Sequence, residues 1–202
     1  MDRLLLHTLY SLRRLLLGGG LAVASGLALG VMIGYFKTPR LILSPVVYLL
    51  APVPKIALIP LIMMAFGIGD MAKIFLIYVV MVFQVLFAVC GAVSRIPQEY
   101  YIPLKAAGAG DWFIIRRVAL RACLPELFTA IRVGLATGIS ALFFAETFGT
   151  RYGLGFHIMN SWTRLDYRGM VTGIAVMALI GLIGTALTDL AEKRVCRWRE
   201  IG

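Results

Sequence analysis

Few residues in this chain could do chemistry, and they do not converge. Asp111, Glu146, His157 and Asp166 are scattered along the sequence, and no nucleophile–base pair can be assembled from them. A single outer-loop histidine makes no metal site. Cys90, Cys123 and Cys196 lie far apart with no CxxC, and Cys90 reads as a small core residue within an apolar block. No G-x-x-x-x-G-K-[ST] phosphate loop is present, so the chain does not hydrolyse ATP in that way. What remains are polar groups inside apolar stretches: Gln84, Arg132, Glu146, and Lys55 among Pro52, Pro54 and Pro60. Charges placed in hydrocarbon are costly and normally face a bundle interior or water. Lys55, Pro60, Gln84, Arg132 and Glu146 are therefore candidates for lining a translocation path. Their chemistry would be solvation of a passing solute, not bond-making.

Each has a plainer reading. Lys55 could attract an anion or anchor the chain at an interface. Gln84, among Phe83, Val85, Leu86 and Phe87, could line a path or hydrogen-bond within the bundle. Arg132 could extend to lipid head groups. Glu146 could serve as a gate, or bond structurally to the Gly149–Gly155 loop. His157 and Asn160, with Trp162, read as interfacial.

The elements that must position these residues are membrane helices. Of 202 residues, 60% are hydrophobic and only 15% charged, and the mean hydropathy is +0.89. That is too few charges for the surface of a soluble domain of this length. The apolar residues gather in blocks long enough to cross about 30 Å of hydrocarbon. Candidate spans are residues 15–35, 45–66, 73–93, 127–148 and 170–190. No signal peptide is evident, since the first block is long for one and lacks a cleavage site. The second span is interrupted by three prolines and a lysine, so its backbone must lie inside protein or beside water, as a broken helix or a kinked, packed one. Gly26, Gly30 and Gly34 line one face of the first span, where a neighbouring backbone could approach closely, within the chain or from a second copy. The expected architecture is an all-α membrane protein of about five transmembrane helices, one transmembrane domain over residues 1–202.

The net charge of +10 sits at the ends of apolar blocks. It forms no stripe of the kind that binds nucleic acid, and reads as topology. Lys37 and Arg40, the five basic residues of 94–125, and Lys193, Arg194, Arg197 and Arg199 of the 193–202 tail share one side if there are five spans. They outnumber Arg3, Arg13, Arg14, Arg151, Arg164 and Arg168 by eleven to six. This bias places the 94–125 segment and the C-terminus in the cytoplasm of a multi-pass inner (plasma) membrane protein.

Residues 94–125 are too many for a simple turn. Pro97 and Glu99 open a helix. Gly108-Ala109-Gly110 breaks it, and Asp111 reads as the N-cap of a second helix carrying Trp112, Ile115, Val118 and Ala119 on one face and Arg116, Arg117 and Arg121 on the other. Leu124-Pro125 then closes the unit. The expected product is a cytoplasmic helix–turn–helix knob.

The run Gly108-Ala109 … Arg117-Val118-Ala119-Leu120 … Leu124-Pro125 resembles the cytoplasmic E-A-A-x3-G-x9-I-x-L-P loop of ABC importer permeases. Phe128-Thr129-Ala130-Ile131-Arg132-Val133-Gly134, Ala57-Leu58-Ile59-Pro60-Leu61, Phe66-Gly67-Ile68-Gly69, Ala145-Glu146 and Gly153-Leu154-Gly155 are similar to the nitrate/sulfonate/taurine branch in the same order, over about residues 8–195. The E-A-A triplet falls on Ile102-Pro103-Leu104, and Arg121 stands at the motif's proline. The family usually has a further membrane helix ahead of the first span. The resemblance implies that Glu99, Leu104, Ala107, Gly108, Ala109, Gly110, Asp111, Trp112 and Arg116 form the loop that couples to a cytoplasmic ATP-binding-cassette ATPase. ATP and magnesium would be held by that partner, and no cofactor by this chain. It also implies a second permease, identical or homologous, and a periplasmic or lipid-anchored solute-binding protein. The branch suggests small anions as solutes. The competing class is an ATP-independent channel or secondary transporter, which the long cytoplasmic loop argues against.

Overall fold

In the computed structural model, which describes residues 2–50 and 52–197, every element is helical. In chain order they are α1 (Asp2–Tyr35), α2 (Lys37–Leu50), a 3-10 turn (Lys55–Leu58), α3 (Ile59–Phe66) and α4 (Asp70–Ser94). A second 3-10 turn (Gln98–Tyr100), α5 (Ile102–Ala106), α6 (Asp111–Ile114), a π turn (Ile115–Ala119), α7 (Leu120–Thr147), α8 (Leu154–Thr163) and α9 (Tyr167–Val195) follow. Four stretches are long and apolar enough to cross a membrane: Arg3–Tyr35, Asp70–Ser94, Asp111–Thr147 and Tyr167–Val195.

The glycine face of α1 is spent within the chain. A Cβ added at Gly18, Gly26, Gly30 or Gly34 would stand 2.7–2.8 Å from the Cβ of Ile77, Val85, Val89 or Val93 respectively. Successive glycines therefore advance in step with successive α4 residues, and the two helices run parallel in van der Waals contact. Small residues allow this approach in a membrane, where lipid offers no hydrophobic penalty to drive association. Parallel packing obliges the chain to return along the bundle between Tyr35 and Asp70, and it does so as α2 and α3, separated by the break at Pro52–Pro54. Arg40 holds the turn: its guanidinium donates to the terminal carbonyls of Ile33 (3.3 Å) and Gly34 (2.6 Å) and to Ser94 Oγ (2.5 Å).

Helix α7 lies antiparallel to α4. Gln84 Nε2 donates to Thr137 Oγ1 at 3.0 Å, and Ala141 and Ala145 pack with Leu76 and Ala72. Helix α9 lies antiparallel to α7, with Gly181 and Gly184 against Ile139 and Leu135. The start of α1, Gly67–Gly69, residues 148–166 and the start of α9 thus gather at one end. The segment 95–119 and the end of α9 lie at the other.

Three sequence expectations are corrected. The first helix begins at Asp2, not near residue 15, because residues 2–17 contain neither glycine nor proline and His7, Ser11 and Arg14 form a buried polar stripe with partners inside the bundle. Leu124-Pro125 does not end the loop unit. The helix opened at Asp111 passes through the π turn into α7 with Pro125 inside it, the one missing N–H being tolerated as in other membrane helices. Asp111 is the first helical residue and not the cap. Gly110 occupies the cap with extended backbone (φ −70°, ψ 157°), and the Asp111 carboxylate accepts instead from the Tyr35 hydroxyl at 2.7 Å. Of the basic tail, Arg199 lies outside the described residues.

Candidate functional site

Two regions carry the polar chemistry, one at each end of the bundle. At the 95–119 end, Pro97 caps the 3-10 turn and Pro103 sits in the first turn of α5. Gly108 then reverses the chain at φ +82°, a left-handed conformation that strongly favours glycine. The two short helices are pinned to the bundle through Asp111, which bonds to Tyr35 on α1 and lies 3.8 Å from Lys105 Nζ. Tyr35 in turn packs edge-on against Tyr101 at 5.7 Å, and burial raises the Tyr101 phenol above the ordinary tyrosine range, keeping it neutral. Ile114 and Ile115 anchor α6 and the π turn in the core. Beyond this footing the residues point outward. Trp112 is 74% exposed, and Tyr100, Ile102 and Phe113 are also open. Glu99, Ala107, Gly108, Gly110 and Arg116 are exposed, while Leu104 and Ala109 are half-buried. All nine residues expected on this loop therefore lie on one protruding, internally braced unit.

At the opposite end Glu146 is fully buried near the C-terminus of α7. Its carboxylate accepts from Arg14 Nη1 at 2.7 Å, from Ser11 Oγ at 2.8 Å and from the Gly155 backbone N–H at 2.9 Å. Arg14 also donates to Asp70 Oδ1 (2.5 Å) at the start of α4 and to the Tyr152 carbonyl (2.8 Å). Ser11 Oγ accepts from the Leu154 N–H, and His7 Nδ1 from the Gly153 N–H. One guanidinium and one carboxylate thus join α1, α4, α7 and the segment before α8. Gly153 makes room for this: its φ is +149°, and a Cβ there would come within 2.5 Å of the Glu146 carboxyl carbon. Buried Lys73 directs its ammonium at the carbonyls of Ile68 (2.8 Å) and Gly69 (3.3 Å). Every member is hydrogen-bonded, as buried ionic groups must be.

The five residues expected to line a path are not brought together. Glu146 is in the buried network. Arg132 is turned toward α9, with Nη1 2.7 Å from Asp189 and 2.6 Å from Glu192, so it clamps two helices and does not reach for head groups. Lys55 lies over the Phe83 ring at 5.0 Å, in an apolar recess with Leu29, Val47 and Tyr78. Pro60 occupies the first turn of α3 and is exposed. Gln84 alone lines the groove between α4 and α7. Sequence reading missed Arg14, which it took for a topology signal, and with it Ser11, His7, Asp70 and Lys73. The signal available was the i, i+4, i+7 spacing of His7, Ser11 and Arg14 on one helical face.

A bundle of four long apolar helices, with exposed aromatic residues on a loop at one end and a buried ionic network at the other, is the architecture of a membrane protein. The chain belongs to the binding-protein-dependent transport system inner membrane component family, whose pattern it matches over residues 26–197. It is 33% identical over 192 residues to the taurine transport system permease protein of Escherichia coli K12, covering 95% of this chain and 70% of that one. It is 28% identical to the nitrate import permease protein of Leptolyngbya laminosa, covering 92% and 66%. Among solved structures, an inward-facing form of the MetNI methionine ABC transporter superposes with a TM-score of 0.81 at 23% identity, over 96% of this chain and 97% of that one. The protein is thus an ABC importer permease, a transport subunit and not an enzyme, with the type I importer permease fold.

Proposed function

We propose that this permease forms one half of the transmembrane path of an ATP-driven importer, and that residues 99–116 are its grip for a cytoplasmic ATP-binding-cassette ATPase. The observation that carries this is the loop itself. Trp112, Tyr100, Ile102 and Phe113 are exposed on a unit braced from behind by Asp111, Tyr35 and Lys105. Large aromatic groups held open on a rigid, aqueous-facing support fit a partner's pocket. The same reading places this end and the C-terminus in the cytoplasm, in keeping with the excess of Lys and Arg there. ATP and magnesium belong to the partner ATPase. A second permease completes the path, and a solute-binding protein delivers a small solute to the other end. Relatives that carry taurine, nitrate and sulfonates in their names favour a small anionic or zwitterionic solute.

The test is co-expression with the ATPase encoded beside the gene, followed by purification on a tag carried by the permease. The wild type should retain the ATPase, and Trp112→Glu should lose it while still inserting and purifying. Retention by Trp112→Glu, Gly108→Arg and Ala109→Glu alike would overturn the docking assignment.

A further inference from the structure

The described helices expose two kinds of face. Those of α1, α2 and α9 are built from large aliphatic side chains, such as Leu16, Leu21, Ile42, Leu49, Leu182 and Leu187, and suit lipid. The exposed face of α7 carries Thr129, Ala136 and Ser140 interspersed with Val133 and Phe144, and the α4 surface beside it carries Gln84, Ala88 and Gly91 with Phe87. Small and polar groups along a span belong to water or protein, not hydrocarbon. Between the two helices runs a groove of about 530 Å³, open at Gly91, where an added Cβ would meet nothing within 4 Å. It shares Arg95 and Glu126 with a second groove of about 560 Å³ toward the loop, which is lined also by Arg117 and Arg121.

The antiparallel register that pairs Gln84 with Thr137 sets Arg95 level with Glu126, three helical turns nearer the loop, about 16 Å at 1.5 Å per residue. Among the described residues neither the Arg95 nor the Glu126 side chain has an ion-pair partner, although both line the same groove. Deeper in the bundle Arg14, Glu146 and Arg132 are each paired. An unpaired cation and anion facing one cleft can each take the opposite charge of a single molecule.

We infer that the α4/α7 groove carries the solute, with Gln84 and Thr137 as a neutral polar rung and Arg95 and Glu126 as a charged rung that holds a small zwitterion. Arg95, backed by Arg117 and Arg121, takes the anionic group, and Glu126 takes the ammonium. This deepens the importer reading by naming a solute class and the side chains that meet it.

The experiment needs no knowledge of the solute. Thr129→Cys, one turn from Glu126, is treated in nanodiscs with a sulfonate-bearing or a trimethylammonium-bearing methanethiosulfonate. Modification is located by peptide mass, so the native cysteines stay in place. Thr129→Cys should react with both reagents and Leu182→Cys on α9 with neither. Adding Arg95→Gln should lower the sulfonate-to-ammonium rate ratio several-fold, and adding Glu126→Gln should raise it several-fold. A Thr129→Cys as inert as Leu182→Cys would remove the groove from the path. A ratio moved by Arg95→Gln alone would overturn the zwitterion and leave an anion route, and a ratio moved by neither would overturn the charged rung. Failure to hold the ATPase would sink the importer coupling without touching these rates, so the two outcomes remain separable.

Discussion

Arg14 and Glu146 meet at 2.7 Å although 132 residues separate them in sequence. Their side chains are 4% and 0% exposed, the most enclosed ion pair among the described residues. Through them the middle of α1 is bonded to the far end of α7, with Asp70 bringing in the start of α4. Arg14→Met strips two carboxylates of their shared cation and should cost about 3–5 kcal/mol, the usual penalty for orphaning a buried charge. Glu146→Gln leaves Arg14 its bond to Asp70 and should cost less. Unfolding of the purified protein in detergent reads both, and an Arg14→Met protein as stable as wild type would show that the network does not hold the bundle.

The same carboxylate makes Gly153 sensitive. A methyl group there would press on Glu146 and require a left-handed backbone, so Gly153→Ala should destabilise by about 1–3 kcal/mol. Gly69→Ala is the comparison, since its added Cβ meets nothing within 4 Å and its φ is ordinary. Equal melting temperatures for the two variants would refute the crowding.

The α1–α4 seam makes a prediction with a sign. Gly30→Ala pushes a Cβ to 2.8 Å from that of Val89 and should cost about 1–3 kcal/mol through overpacking. Gly20→Ala, nearly three turns earlier on the same helix, faces open space and should be neutral or gain up to about 1 kcal/mol from helix propensity. Thermal unfolding of the two variants side by side decides it.

In the loop, Gly108 and Gly110 differ in backbone and should differ in tolerance. Alanine at Gly108 is forced toward φ +82° at a cost of about 1–2 kcal/mol, and the turn should re-form with Trp112 displaced. Alanine at Gly110 keeps φ near −70°. Retention of the ATPase on a permease-tagged column should fall for Gly108→Ala and hold for Gly110→Ala.

Much of this architecture was legible from residue type and spacing. The apolar blocks, the prolines that divide the second of them, and the glycine face of α1 each follow from one local rule. The bond between Glu146 and the Gly149–Gly155 loop was also among the readings open, because a carboxylate near a span's end has few partners but backbone N–H groups. The ion pair was not legible. An arginine at the head of an apolar stretch looks like a topology signal when its partner is more than a hundred residues away, and Asp70 looks like an ordinary first-turn acid. Pro125 misled for a related reason: proline usually marks a boundary, but here it lies inside a helix that runs on without a break from Asp111. The separation of the five path candidates depended on helix register, which individual residues do not reveal.

The helix opened at Asp111 does not stop before Thr147, a run of 37 residues and so about 55 Å at 1.5 Å per residue. Trp112 stands at one tip of this rod and Glu146 at the other. For an ATPase that grips the loop as proposed, this rod would be in mechanical terms a lever, not a hinge, with its irregular turn, Ile115–Ala119, beside the gripped end. A force applied at Trp112 and not absorbed in that turn arrives at Glu146, where the rod is tied by charge to α1 and α4.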